Sequence, residues 1–137
     1  MRRVQYLAVA VAIALGAGAC SDETTPTTPT TAPATVTDTF SGTLTKNGAQ
    51  SYQFITAASG TVTAIVSGIA PDTTLIVGLS LGTWNGNQCQ VVLSKDNATL
   101  ASYVSGTASA SGTLCVRIYD VGNIADPITY EIQVNHP

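Results

Sequence analysis

The chain has 137 residues, enough for one domain, and only 9% of them are charged. From Cys20 onward eight carboxylates stand against three basic residues, so that part of the chain has a net charge of about −5. No cluster of basic residues is present that could neutralise phosphates, and we exclude nucleic acid as a partner.

Residues 1–19 are predicted to be a signal peptide. Two arginines precede an apolar run over residues 6–15, which is shorter than the roughly 20 residues of a membrane-spanning helix. The segment resembles a bacterial lipoprotein signal, in which a cysteine after small residues receives a diacylglycerol group. Here that cysteine is Cys20, preceded by Ala17-Gly18-Ala19, with alanine where leucine is usual.

This resemblance implies a bacterial cell-envelope protein that is anchored in a membrane through lipidated Cys20. Ser21 follows the cysteine where aspartate would be the usual signal for retention in the inner membrane. The outer membrane is therefore favoured if the host has two membranes. The same small residues also fit an ordinary A-x-A cleavage site, so a secreted protein that begins with unmodified Cys20 is the alternative.

Residues 20–35 are predicted to be the anchored cysteine followed by a disordered linker. After Cys20 this stretch has three prolines, many threonines and no large apolar residue. Such a segment cannot bury enough surface to offset its chain entropy. We expect an extended spacer, with O-glycosylation of the threonines as the alternative role.

Residues 36–137 are predicted to be an all-β domain of about eight strands. Apolar and polar residues alternate in short runs between turn residues, and no window has a helical period. The strands are predicted at residues 35–44, 50–56, 61–68, 74–82, 89–93, 101–106, 112–120 and 128–134. The Asn47-Gly48 pair is a strong signal for a hairpin between the first two. Regularly spaced short strands favour a sandwich or barrel of antiparallel sheets.

Two cysteines, Cys89 and Cys115, remain if Cys20 is lipidated. An even number of cysteines in an exported domain predicts a disulfide, which would stabilise the domain by roughly 3 to 4 kcal/mol. Zinc binding would need more ligands, and disulfide exchange would need a Cys-x-x-Cys pair. The single histidine, His136, is the penultimate residue, and we expect it to be a frayed surface group.

The sequence predicts no enzyme activity, no catalytic residue and no cofactor. A nucleophile would need a base, and neither a phosphate-binding loop nor a His-Glu-x-x-His motif is present. A weak candidate for calcium is formed by Asp120, Asn123 and Asp126, whose three-residue spacing offers oxygen ligands. The alternative is that Asn123 and Asp126 are ordinary turn residues.

Three segments together resemble the bacterial pre-peptidase C-terminal (PPC) domain: "FSGTLTKNGAQSYQFITAASGTVTAIVSG", "TLIVGLSLG" and "SGTLCVRIYDVGNIADPITYEIQV". Shared features are a Gly-x-Leu entry, a Tyr-x-Phe strand, a Tyr-Asp turn and a closing Tyr-x-Ile-x-Val strand. The resemblance implies a jelly-roll-like β-sandwich with a role in secretion, attachment or binding of polymers such as polysaccharide or collagen. Here we expect the domain to stand alone on a linker, without an attached enzyme.

Two functions follow as hypotheses. In the first, the domain is a surface-displayed binding module for polysaccharide or another extracellular polymer, with Trp84, Asn85 and Asn87 as ligand-binding residues. In the second, it is a structural or assembly protein of the envelope that contacts a protein partner through a sheet face or edge. An exposed Trp84 on a concave face would favour the first hypothesis. A Trp84 that plugs one end of the sandwich, buried against the disulfide, would favour the second.

Overall fold

Eight β-strands and no helix make up the described part of the chain, residues 31–137, in the computed structural model. Accordingly, no helix among these residues could cross a membrane. The predicted signal peptide, Cys20 and most of the predicted linker lie outside the described residues. The strands are β1 (Val36–Leu44), β2 (Ala49–Thr56), β3 (Gly60–Ala70), β4 (Val77–Trp84), β5 (Cys89–Ala98), β6 (Tyr103–Ala108), β7 (Gly112–Tyr119) and β8 (Ile128–His136).

The strands form two four-stranded antiparallel sheets with the orders β1-β8-β3-β6 and β2-β7-β4-β5. Only β4 and β5 are neighbours both in sequence and in a sheet, because every other connection crosses from one sheet to the other. Two stacked sheets joined in this way are a jelly roll. The predicted all-β, jelly-roll-like sandwich of about eight antiparallel strands is therefore confirmed.

The predicted hairpin at Asn47-Gly48 is wrong, because β1 pairs with β8 and β2 pairs with β7. The turn instead carries the chain between the sheets, and it is closed by a bond from Gly48 N to Thr45 O of 2.8 Å. The β7–β8 loop fixes it in place: Asp120 N donates to Gly48 O at 2.9 Å. Residues 94–98, predicted as a polar loop, belong to β5 and pair with β4.

The core lies between the two sheets, and β8 shows how the sequence pattern builds it. Its alternating residues point inward, and Ile132 and Val134 are fully buried. Strands of the facing sheet contribute in the same way, since burial of alternate side chains removes apolar surface from water. The largest fully buried apolar side chains are Leu44, Val66, Val77, Leu79, Val116, Ile118, Ile132 and Val134.

One side of the sandwich, where the edge strands β1 and β2 face each other, is closed by aromatic side chains. The rings of Phe40 and Tyr52 stack with centroids 4.8 Å apart, and the Tyr52 and Tyr130 hydroxyls are 2.7 Å apart. Burial, together with the bond to Tyr52, raises the pKa of Tyr130. Gly42 makes room for this pair, because a Cβ there would lie 2.7 Å and 2.8 Å from the two hydroxyl oxygens.

The predicted disulfide between Cys89 and Cys115 is confirmed, and it joins strands that are not neighbours. β4 lies between β5 and β7, so their Cα atoms would ordinarily be about 9.5 Å apart. The two cysteine Cα atoms are nevertheless only 5.7 Å apart. The start of β5 passes over Gly82, where a Cβ would lie 2.1 Å from the Gln90 carbonyl oxygen. This crossing brings Cys89 to β7 and explains why Cys115, on the outward face of its strand, is fully buried.

A second link between β7 and β5 crosses β4 further along. The ring of Tyr119 lies over Gly78, where a Cβ would come within 2.1 Å of a ring carbon, and its hydroxyl donates to Asp96. Burial and the Asp96 carboxylate raise the pKa of Tyr119. Small residues on the outward face of β4 thus allow both links to pass over it.

The described chain begins and ends at the same end of the sandwich. Val36 pairs with His136, and Ala57 N donates to Pro137 O at 3.0 Å. The β4–β5 hairpin and the β6–β7 turn lie at this end too, since β4 and β7 pair there through Thr83 and Leu114. Residues 31–137 contain all eight strands and enclose a core of their own, as an independently folding domain requires.

Candidate binding surfaces

The β4–β5 hairpin holds the residues that the sequence suggested for sugar binding. Trp84 is the last residue of β4 and pairs across the ladder with disulfide-bonded Cys89. The side chain of Asn85 closes the turn, because its Oδ1 accepts from Asn87 N at 3.0 Å and from Gln88 N at 2.9 Å. Gly86 has a φ of 101°, which the turn requires.

This geometry brings Trp84, Asn85 and Asn87 together but gives them different roles. Trp84 is half-buried beside the disulfide, whereas Asn85 and Asn87 are exposed. Because the Asn85 carbonyl already accepts two backbone bonds, its capacity to accept from a sugar hydroxyl is largely used. The exposure of Trp84 is therefore intermediate. The side chain is neither fully exposed, as expected for a sugar-binding platform, nor fully buried, as expected for a structural plug.

The β7–β8 loop, suggested for calcium, uses Asp120 to organise backbone. Its Oδ1 accepts from the N–H groups of Gly122, Asn123 and Ile124 at 2.8, 2.9 and 3.2 Å, and its Oδ2 accepts from Asn47 N at 2.8 Å. Partial burial alone would raise the pKa of Asp120, but these four bonds outweigh it and lower the pKa. Calcium would have to compete with them, and the calcium site stays a prediction.

No group of three or more His, Cys, Asp or Glu side chains within residues 31–137 is arranged to hold a metal ion. The expectation that His136 is a frayed surface group is wrong, since its side chain is only 3% exposed. Asp38 accepts a bond from His136 Nε2 at 3.0 Å, and the ring packs on Phe54 with centroids 5.0 Å apart. Nδ1 lies 3.2 Å from the Pro137 carbonyl oxygen, so neither ring nitrogen contacts a nucleophile.

An apolar surface that the sequence did not single out lies where the edge strands β5 and β6 face each other. We call it the open side and define it by Val91, Val92, Leu93, Leu100 and Tyr103. These are five of the eight large hydrophobic side chains that are exposed in the described chain, and Val92 and Tyr103 are 69% and 62% exposed. Exposed apolar side chains that cluster are typical of an interaction surface; Val92 and Leu93 lie at the gap between the sheets, and Tyr103, the partner of Ile65, lies on the outer face of its sheet.

Two irregularities in β5 shape the open side. Leu81 pairs with Leu93 and Gly82 with Val91, so Val92 is an extra residue in the ladder, and a second shift lies between the partners of Val77 and Leu79. Such bulges twist an edge strand and disturb the alternation of its side chains. Consecutive side chains from Val91 to Leu93 are consequently all exposed. The run of apolar letters "VVL" was the one sequence signal for this surface.

Comparison with known proteins adds no relative: no protein-family model matches the chain, and no curated protein matches it. The resemblance to the PPC domain therefore stays a prediction.

Proposed function

We propose that this chain is a non-catalytic protein of the bacterial cell envelope that binds a protein partner through its open side. The observation that supports this proposal is the concentration of exposed apolar side chains on β5, in the β5–β6 loop and at the start of β6. On the opposite side of the sandwich, stacked Phe40 and Tyr52 cover the gap between the edge strands β1 and β2. Apolar side chains are therefore more exposed on the open side than on the opposite one. Loss of exposed apolar surface to a partner is favourable at about 25 cal/mol per Å².

The charges around the open side indicate what the partner presents. The five residues that define it are apolar, and Lys95 lines a hollow beside Leu100 and Tyr103. The neighbouring Asp96 accepts a bond from Tyr119, and Lys95 is half-buried. An uncharged, apolar protein surface matches this patch, whereas a strongly charged one would lose hydration without gaining an ion pair.

Site-specific crosslinking in the native host tests the proposal. A photo-crosslinking amino acid at position 92 should give one discrete adduct, and the same amino acid at exposed Gln50 on β2 should give none. Val91→Asp should abolish the adduct because it places a charge in the apolar contact. Equal crosslinking at positions 92 and 50, or an adduct that persists in Val91→Asp, would contradict the proposal. An adduct with the mass of two copies would show that the partner is a second copy of this chain.

Polysaccharide binding is the second candidate, and the partial exposure of Trp84 at a hairpin tip supports it. Aromatic rings stack on sugar faces, and exposed amides such as Asn87 can bond their hydroxyls. We would measure retention of residues 31–137 on insoluble polysaccharides and purified cell wall, with Trp84→Ala and the matched control Tyr103→Ala. Loss of retention in Trp84→Ala alone would favour this function, whereas equal retention of all three proteins would exclude Trp84.

The envelope location rests on the predicted lipid anchor and on the PPC resemblance. A diacylglycerol thioether at Cys20 would hold the domain at a membrane, since each buried methylene contributes about 0.8 kcal/mol. The intact mass of the protein extracted from membranes measures this directly. An unmodified N-terminal Cys20 would make the protein secreted instead.

A further inference from the structure

A cavity of about 340 Å³ lies between the edge strands β5 and β6, at the end where the β6–β7 turn is found. Its inner wall is formed by side chains from both sheets, among them Val62, Leu81 and Ala108. These three are 3%, 6% and 8% exposed and belong to the hydrophobic core. The cavity is therefore a gap that reaches the core from the surface.

The wall on the β5 side depends on the bulge at Val92. Val92, the extra residue of the bulge, and its neighbour Leu93 both line the cavity. Leu93 in turn lies over Gly106 of β6, where a Cβ would come within 2.6 Å of its Cδ1. The bulge and the missing side chain at residue 106 thus shape one wall together.

No charged residue lines the cavity, although the chain is acidic overall. Its mouth carries hydroxyl groups instead, from Thr83, Thr107, Ser109, Ser111 and Thr113. A charged ligand would lose hydration there without finding a counter-charge. An uncharged ligand with an apolar body and a polar end that accepts a hydrogen bond matches both the wall and the mouth.

The volume limits the size of that ligand. An apolar protein cavity of about 150 Å³ binds one benzene ring, so a cavity of 340 Å³ has room for a two-ring body or a short acyl segment. This volume also falls at the lower end of the range for small-molecule sites, which are lined mainly by apolar side chains with a few polar groups.

We propose that this cavity is a binding site for the hydrocarbon part of an uncharged amphiphile, with the polar end of the ligand at the hydroxyl-lined mouth. Val92 and Leu93 belong both to this cavity and to the open side, so a ligand in the cavity and a protein on the open side would compete for them. The site is therefore tested on the isolated domain, where no second protein is present.

Fluorescence titration with prodan tests this site, because prodan is neutral, has a two-ring body and carries a carbonyl acceptor. Residues 31–137 are titrated into a fixed amount of the probe. We expect a blue-shifted emission and a dissociation constant of about 0.2 mM, from the affinity per atom typical of drug-sized ligands. Anionic anilinonaphthalene sulfonate, of similar size, should bind more weakly.

Matched tryptophan variants locate the binding. Ala110 lies at the cavity mouth in the β6–β7 turn, whereas Ala125 lies in the β7–β8 loop and does not line the cavity, and both are exposed. Ala110→Trp should weaken prodan binding at least about fivefold by filling the mouth, and Ala125→Trp should leave it within about twofold. Ser109→Trp serves the same purpose if Ala110→Trp does not fold. Absent prodan binding, equal binding by all folded variants, or tighter binding of the anionic probe would each overturn the proposal.

Discussion

Replacement of both Cys89 and Cys115 by alanine removes the covalent link that crosses β4. The native contacts that bring β5 over Gly82 do not require the sulfur–sulfur bond, so the folded structure should persist. The main effect is expected in the unfolded chain, whose conformational entropy rises when the loop is no longer closed. The perturbation therefore tests how much of the stability of this domain comes from restricting its unfolded state.

The magnitude follows from the length of the loop. The two cysteines are 26 residues apart, and the chain-entropy relation for a loop of that size gives about 3.5 kcal/mol at 25 °C. For a domain of this length, each kcal/mol corresponds to about 4 °C or more in Tm. We therefore expect the double variant to melt roughly 15 °C or more below the oxidised protein.

Urea unfolding and thermal melting of residues 31–137 provide the assay, with three samples measured side by side. They are the oxidised protein, the same protein after reduction, and the double alanine variant. The reduced protein is the matched control, because it keeps the side-chain volume of buried Cys115 that alanine removes. Both samples without the link should also show a larger m-value, since their unfolded chains expose more surface.

A loss of less than about 1 kcal/mol in the reduced protein, with an unchanged m-value, would refute the reasoning. Such a result would mean that the unfolded chain is already confined near the loop without the covalent bond. A large loss in the variant but not in the reduced protein would assign the effect to packing at Cys115.

Three further substitutions test local features. Gly42→Ala places a methyl group within 3 Å of two tyrosine hydroxyls, and urea unfolding should show a loss of about 1 to 3 kcal/mol. Gly78→Ala should displace the Tyr119 ring and cost a similar amount, unless Tyr119→Ala is added to relieve the clash. Asp120→Asn should cost about 1 kcal/mol at pH 7. Because folding lowers the Asp120 pKa, its stabilisation is complete above the unfolded-state pKa and disappears as the pH falls through the folded-state value. An Asp120→Asn deficit that persists in acid would contradict this role.

Sequence periodicity predicts the strands of this domain well, because each buries alternate side chains. In β8 the pattern from Ile128 to Val134 is enough to place the core face. The same alternation continues to His136, which therefore points inward. The prediction for His136 is wrong because chain ends usually fray, and the pairing with Val36 that orders this end is not visible locally.

Strand partners were much harder to predict than strands. The Asn47-Gly48 signal is a property of four residues, whereas the pairing of β1 with β8 joins segments at opposite ends of the domain. Of the candidate sites, the disulfide follows from counting cysteines, whereas the turn alternative was assigned to Asn123 and Asp126, and the backbone bonds of Asp120 are visible only in the structure. The open side could not be predicted, because it arises from a bulge at Val92 and from the edge position of two strands.

If Cys20 is lipidated as proposed, the domain would be held at its N-terminus, and the disulfide would then have a mechanical consequence. A load applied at Val36 along the strand acts on β1 first, and its nine residue pairs with β8 are sheared together rather than opened one after another. Once the domain unfolds, the segments before Cys89 and after Cys115 can extend, whereas the covalent loop between them cannot. The two cysteines are 26 residues apart, so the closed loop keeps about 90 Å of chain from extending until the disulfide is reduced. The disulfide thereby acts as a limit on extension as well as a source of stability.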